Sequence, residues 1–260
     1  MSLLKKNLYI ISFVNHKGGV GKTTTVMSVA GVLVKKFKKK VLCIDLDPQA
    51  NLTKGSGVVP ANLDLTLVDI LRDDEAALVN EVIVKRKGSY DVLPSSLDLA
   101  LADQFLYERV AKEIVLREII ENIKEKYDFI LIDSPPSLGV LTINGLSAST
   151  HVLLPVETSF FALEGFESIL DRIKTIKKKI NTNLDLLGIV ATKFDSRKNI
   201  HKESLEEIRK SIPEKVFKTT ISMNVRLEEA PNFGKSIIEY SSETNAKDYI
   251  NLTKELLKRL

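Results

Sequence analysis

Leu8-Tyr9-Ile10-Ile11-Ser12-Phe13-Val14-Asn15 runs straight into His16-Lys17-Gly18-Gly19-Val20-Gly21-Lys22-Thr23-Thr24. The first stretch is apolar, β-branched and aromatic, the composition of a buried strand. The glycines let the backbone turn sharply and present successive N–H groups to an anion. From Lys22 to Phe37 apolar residues recur at helical spacing, so the positive end of a helix points into the same loop. Strand, glycine loop and helix N-terminus in that order make a phosphate cradle. Gly18, Gly19, Val20, Gly21, Lys22, Thr23 and Thr24 are its candidate lining, with Lys22 on the β- and γ-phosphates and the Thr23 hydroxyl on Mg²⁺. The plain pattern G-x-x-x-x-G-K-[ST] is not met, because its first glycine falls on His16. The loop carries instead an extra lysine, Lys17.

Working outward, further strand-like runs appear at Lys40–Leu46, Phe129–Asp133, Val152–Val156 and Leu186–Thr192. Helical patterns occupy Leu97–Tyr107, Glu113–Lys126, Phe160–Ile180, Lys202–Ser211 and Thr244–Leu260, with a loop expected between Leu46 and Leu97. Near-continuous apolar strands separated by helices indicate a mostly parallel sheet covered on both faces. No repeat and no Pro/Gly/Ser linker divides the chain. The expectation is one α/β domain over residues 1–260, a single doubly wound sheet, with its ligand beyond the carboxyl ends of the strands.

Composition removes several function classes. With 44% hydrophobic and 28% charged residues among 260, the chain is neither disordered nor fibrous. No uncharged apolar run approaches the roughly 18 residues of a membrane span. The N-terminal residues lack the apolar stretch and cleavage site of a signal peptide, so a cytoplasmic protein is expected. One cysteine, Cys43, cannot build a disulfide framework or a cysteine-based metal site within one chain. The net charge of +4 is modest, but residues 172–235 hold 15 Lys/Arg against 8 Asp/Glu, while residues 1–150 hold 19 against 18. The positive excess therefore sits in the C-terminal part.

Carboxylates stand at two of the strand ends. Asp45-Leu46-Asp47-Pro48-Gln49 places two of them two residues apart, a spacing that lets both face one site on extended backbone. Phe129-Ile130-Leu131-Ile132-Asp133 is an apolar strand ending in Asp, followed by Ser134-Pro135-Pro136, the Walker B pattern that holds Mg²⁺ through water. Oxygen ligands beside phosphates select Mg²⁺ over zinc, and phosphoryl transfer to water is the implied reaction. At the last strand Thr192-Lys193-Phe194-Asp195 resembles the guanine-reading T-K-x-D of several GTPases, whose Asp binds the base. Asp195 is therefore a candidate base contact, with ATP favoured and GTP left open, because the loop after Asp133 lacks the D-x-x-G of most GTPases.

The variant loop K-G-G-x-G-K-[ST] with D-x-D-P-Q resembles the ParA/MinD group of P-loop ATPases, the deviant Walker A type, and matching motifs extend from Leu8 to Pro231. The resemblance implies that Lys17 reaches across a dimer interface to the partner's nucleotide. It also implies that Asp45 helps organise Mg²⁺ and that Asp47 positions the attacking water, which makes Lys17, Lys22 and Asp47 the catalytic candidates. Thr23, Asp45 and Asp133 are the candidate metal residues. Asp195-Ser196-Arg197-Lys198-Asn199-Ile200 is similar to the family's D-x-R-x-N-L, and Asn224-Val225-Arg226-Leu227-Glu228-Glu229-Ala230-Pro231 to its N-V-R-L-x-E-A-P. In the chromosomal Soj branch these arginines touch DNA phosphates, so Arg197 and Arg226 are DNA candidates, joined by Lys198, Lys202, Lys218 and Lys235. Ser222-Met223 replaces the family's Pro-Arg, which removes one basic residue from that segment.

A ParA/Soj-like member implies an ATP sandwich homodimer that binds double-stranded DNA non-specifically. It also implies a ParB-like partner that stimulates hydrolysis, a nucleoid-associated location, and chromosome or plasmid partition as the outcome. A MinD-like membrane ATPase is one alternative. Its anchor would be the stripe Tyr249, Ile250, Leu252, Thr253, Leu256, Leu257 and Leu260, which reads more readily as a packed final helix. A GTP-dependent regulatory switch is the other. Too few residues precede Lys17 for a helix-turn-helix, so operator binding is not expected.

Overall fold

The computed structural model describes residues 8–158 and 166–260. One sheet contains β1 (Tyr9–Phe13), β2 (Val41–Asp45), β3 (Asp91–Leu93), β4 (Phe129–Asp133), β5 (His151–Glu157) and β6 (Asp185–Thr192). The spatial order is β3-β2-β4-β1-β5-β6, and each neighbouring pair is parallel. From the central β1 the chain builds one side of the sheet with β2 to β4 and the other with β5 and β6. The crevice beyond the carboxyl end of β1 is therefore the switch point at which such sheets bind ligands.

Strand residues alternate between two buried faces. Val41 and Cys43 of β2, with Phe129 and Leu131 of β4, pack under Val26 and Leu33 of α1 (Lys22–Phe37) and Leu252 and Leu256 of the final helix. Leu42, Ile44, Ile130 and Ile132 point the other way, onto Leu67 and Leu71 of helix Leu67–Asp73 and Leu116 and Ile119 of helix Val115–Glu121. Burial on both faces is why these strands read as unbroken apolar runs, and each such side chain contributes roughly 1.5–3 kcal/mol. The final helix, Lys247–Arg259, buries Tyr249, Leu252, Thr253 and Leu256, and Ile250, Leu257 and Leu260 pack against the same cluster. Its apolar stripe is core. No helix among the described residues is long and apolar enough to cross a membrane.

The segment read as a loop between Leu46 and Leu97 holds β3 and the short helices Asn51–Gly55, Leu67–Asp73 and Val79–Val82. These are too brief to show a period; Leu67–Asp73 is fixed by a capping box between Thr66 and Asp69. Leu97–Tyr107 is a 3₁₀ turn, Leu97–Leu101, followed by Ala102–Phe105, and Glu113–Lys126 contracts to Val115–Glu121 and a 3₁₀ turn, Lys124–Lys126. Helix Val140–Ala148 shows no helical period in the sequence because nearly all of it is buried, leaving no polar face. Helix Phe166–Lys179 covers the rest of the expected Phe160–Ile180 pattern, whose residues 160–165 lie outside the described residues.

Candidate active site

The phosphate loop is tied to three strands. Asn15, just past β1, donates from Nδ2 to the Pro155 carbonyl at 2.8 Å and accepts the Lys17 N–H at 3.0 Å. Thr192 at the end of β6 donates to the Val20 carbonyl at 2.8 Å, and Val20 itself is buried. Gly19 and Gly21 adopt φ of 73° and 84°, a left-handed backbone that any other residue would occupy under strain. A Cβ built on Gly18 or Gly19 meets nothing within 4 Å, so open space lies above the loop. Gly21 caps α1 with no side-chain hydrogen bond, and the first turn contains no acidic residue. The N–H groups that begin α1 are thus left to an outside acceptor, which fits a phosphate. Lys22 is buried, donates to the Lys17 carbonyl at 3.2 Å, and has its ammonium pKa lowered by burial against the opposing pull of Asp133 and Asp47.

Parallel pairing of β2 with β4 sets Asp45 opposite Asp133. Thr23 Oγ1 donates to Asp133 Oδ2 at 2.6 Å, while Oδ1 of the same fully buried carboxylate has no hydrogen-bond partner among the described residues. Burial, and after it the neighbouring Asp45, pushes the Asp133 carboxyl well above the ordinary range. A hydroxyl beside an unmatched buried carboxylate oxygen is an oxygen donor set that suits Mg²⁺, which takes one or two carboxylates and completes its shell with phosphate and water.

Asp45 and Asp47 part company. β2 ends at Asp45, so the alternation of extended backbone no longer governs Asp47, and the two carboxylates do not share one site. Asp45 turns inward: Oδ2 accepts Thr53 N–H at 2.9 Å and Thr53 Oγ1 at 2.7 Å, and Oδ1 accepts the Asp47 N–H at 3.1 Å. Burial raises it to about 6 despite these bonds. Asp47 lines the open cleft and accepts the Gln49 N–H at 2.9 Å, while its carbonyl takes the Ser95 hydroxyl at 2.8 Å. Asp45 thus holds the loop that presents Asp47.

The cleft has two adjoining chambers. One, about 780 Å³, is bounded by the phosphate loop, Asp47, Lys54 and Pro136. The other, about 510 Å³, is bounded by Thr192, His201, Met223, Asn224 and Tyr249. Gly21, Thr24, Lys193, Glu228 and Pro231 line both. Lys193, with φ of 52°, is held in the left-handed region, a strain of order 1–3 kcal/mol for a residue other than glycine. Lys193 and Glu157 stand at or next to the carboxyl ends of β6 and β5, a position legible in the sequence, whereas His201 lies within helix Asn199–Ser211 and carries no such signal. Asp195 does not line either chamber. Its carboxylate is gripped by Arg197, Nε to Oδ1 at 3.0 Å and Nη2 to Oδ2 at 2.9 Å, and that hydrogen-bonded pairing holds it far below the usual range.

The DNA candidates are all exposed: Arg197, Lys198, Lys202, Lys218, Arg226 and Lys235. Arg226 lies on the short helix Val225–Glu229, begun by Asn224 accepting the Arg226 N–H at 2.9 Å. Its guanidinium meets Glu229 at 2.7 Å, and the same Glu229 oxygen accepts the Tyr240 hydroxyl at 3.1 Å. Lys17, next to the loop glycines, is half-exposed, with Nζ 4.0 Å from Glu157 Oε2.

A family profile described as AAA domain matches residues 8–186. The sporulation initiation inhibitor protein Soj of Bacillus subtilis (strain 168) is 41% identical over 248 residues, covering 95% of this chain and 97% of the relative. The chain belongs to the ParA/Soj family of P-loop ATPases. Within that family the chromosome partitioning protein ParA of Myxococcus xanthus (strain DK1622) is 38% identical over 252 residues, 96% of this chain and 88% of the relative. The solved structure of cobyrinic acid a,c-diamide synthase from Mycobacterium smegmatis with bound ADP and magnesium superposes with a TM-score of 0.84 at 30% identity, over 96% of this chain and 94% of that one.

Proposed function

We propose that this chain is a Mg²⁺-dependent ATPase that partitions DNA, pairing as an ATP sandwich dimer that binds double-stranded DNA without sequence preference. Hydrolysis, stimulated by a ParB-like partner, releases the DNA. The observation that carries the reading is the open phosphate loop above the Thr23–Asp133 pair, with Asp133 Oδ1 unmatched at its base. Thr23, and Asp133 through water, would hold Mg²⁺, which supplies charge neutralisation on the phosphate oxygens when bound. Loop N–H groups and Lys22 bind the β- and γ-phosphates, and Asp47 orients water for attack on the γ-phosphorus as the bond to the bridging oxygen breaks. Lys17, the extra lysine of the loop, would serve a partner's nucleotide, as an arginine finger does. Adenine rather than guanine is supported by Asp195, whose carboxylate oxygens are engaged by Arg197. The curated relatives named for chromosome partitioning support DNA as cargo.

The test is binding of a non-specific duplex at several salt concentrations with no nucleotide, ATP, ADP or GTP. ATP-dependent, salt-sensitive binding is the expected result. Absence of DNA binding in every nucleotide state would overturn the DNA assignment and leave Arg197 and Arg226 without a role.

A further inference from the structure

Among the described residues, Lys193 is the only cationic one that lines both chambers of the cleft. Its left-handed backbone is imposed from both sides. Thr192 is bonded to the phosphate loop at Val20, and Phe194 donates its N–H to the Ile221 carbonyl at 2.9 Å. Between these anchors the chain kinks, and the Lys193 side chain stands 45% exposed at the neck between the chambers. Across the β5–β6 pairing, where Glu157 is in register with Thr192, the Glu157 carboxylate sits between two ammonium groups. Oε1 is 3.8 Å from Lys193 Nζ and Oε2 is 4.0 Å from Lys17 Nζ. Half-exposed pairs at such distances add little to fold stability, so stability does not account for them. Glu228 also lines both chambers, so the neck carries one side chain of each sign, and Lys193 is the cation that an anionic chain passing between the chambers would meet.

We infer that Lys193 is a nucleotide ligand in cis, contacting the phosphate chain of a nucleoside diphosphate or triphosphate where it leaves the glycine loop, and that Glu157 is the residue that positions it. The inference rests on the nucleotide reading of the cleft. The strained backbone holds the ammonium at the neck before ligand arrives, and Glu157 limits its sweep. Phosphate contact predicts an effect that scales with the ligand's charge, whereas a packing role predicts loss of all ligands alike.

The experiment measures binding of fluorescent ADP and ATP, with Mg²⁺, and competition by ADP and by adenosine, for the wild type and four variants. Lys193→Asn removes the charge while tolerating the left-handed backbone, Lys193→Gly does so without strain, Lys193→Arg keeps the charge, and Glu157→Gln releases the tether. ADP affinity should fall about tenfold or more in Lys193→Asn and Lys193→Gly, as expected for a lost charge-assisted contact, and remain within about threefold of wild type in Lys193→Arg. Adenosine competition should not change. Glu157→Gln should weaken ADP by a smaller factor, and should add nothing in the Lys193→Asn background. If the wild type binds ADP and both charge-removing variants bind it equally well, the ligand role of Lys193 is wrong while the nucleotide site stands. Equal losses for adenosine and ADP would also overturn it. A wild type that binds neither nucleotide would remove the nucleotide reading itself.

Discussion

Arg197 closes both of its side-chain contacts on Asp195, at 3.0 and 2.9 Å, so the strand end that resembles a guanine reader is occupied by a residue from its own loop. Asp195→Asn should therefore leave ATP affinity within about threefold of wild type, since the contact it loses is an exposed ion pair. GTP affinity should not rise. Loss of ATP binding in a folded Asp195→Asn protein, measured by calorimetry, would show that the carboxylate contacts the nucleotide after all.

Asp133 gives a pH-dependent prediction. Its carboxyl is raised in the folded chain, chiefly by burial and next by Asp45. A raised carboxyl binds protons more tightly folded than unfolded, so it favours folding at low pH. That advantage fades as pH climbs above the free side chain's value of about 4. Without nucleotide and metal, Asp133→Asn should melt at a higher temperature than wild type at pH 8, and the gap should narrow as pH is lowered toward 5. Hydrolysis should fall by roughly a hundredfold or more in the same variant, the usual scale for losing one electrostatic contact at a transition state. A variant less stable than wild type at pH 8 would mean the buried carboxylate is better matched than its unpartnered Oδ1 indicates.

Much of this is legible in the sequence, for reasons specific to the residues. β1, β2 and β4 announced themselves because both faces are buried, and the loop from Lys17 to Thr24 because glycine is needed where φ is positive, at Gly19 and Gly21. Thr23 and Asp133 could be paired from motif order alone. What the sequence hid were contacts made by tertiary placement. Asp45 looks equivalent to Asp47 in one dimension, yet Thr53 and the end of β2 turn it inward. Glu157 and Lys193 meet only through the register of β5 with β6, which local periodicity does not encode. Helix Val140–Ala148 lacked a polar face, and β3, at three residues, was too short to stand out.

Lys22 and Asp47 should separate binding from chemistry. Lys22→Ala removes the buried ammonium beside the loop and should abolish every nucleotide-dependent behaviour. Asp47→Ala leaves the loop and Lys22 in place, so nucleotide binding and ATP-dependent dimerisation, followed by light scattering, should persist while phosphate release stops. Asp47 accepts the Gln49 N–H through its side chain, so some loosening of residues 47–51 is expected alongside. An Asp47→Ala protein that still releases phosphate at the wild-type rate would take the water-orienting role from that residue.

Arg226 offers the last test, because its ion pair and its exposure point in opposite directions. Glu229 binds it at 2.7 Å and is itself steadied by Tyr240, so in the free chain Arg226 is already partnered. On the proposed function DNA phosphate would have to displace that partner, and an exposed pair of this kind gives way at low cost. Each phosphate contact steepens the dependence of log affinity on log salt by about 0.9, so Arg226→Ala, present twice in the proposed dimer, should flatten the slope by about 2. Basal ATP turnover should not change, since Arg226 does not line either chamber of the cleft. Glu229→Gln frees the guanidinium and should raise DNA affinity without altering the slope, measured by anisotropy from 50 to 200 mM salt. If Arg226→Ala leaves the slope as it is and Glu229→Gln leaves the affinity as it is, the DNA surface lies elsewhere. Lys198 and Lys202, beside Arg197, would then be the next residues to remove.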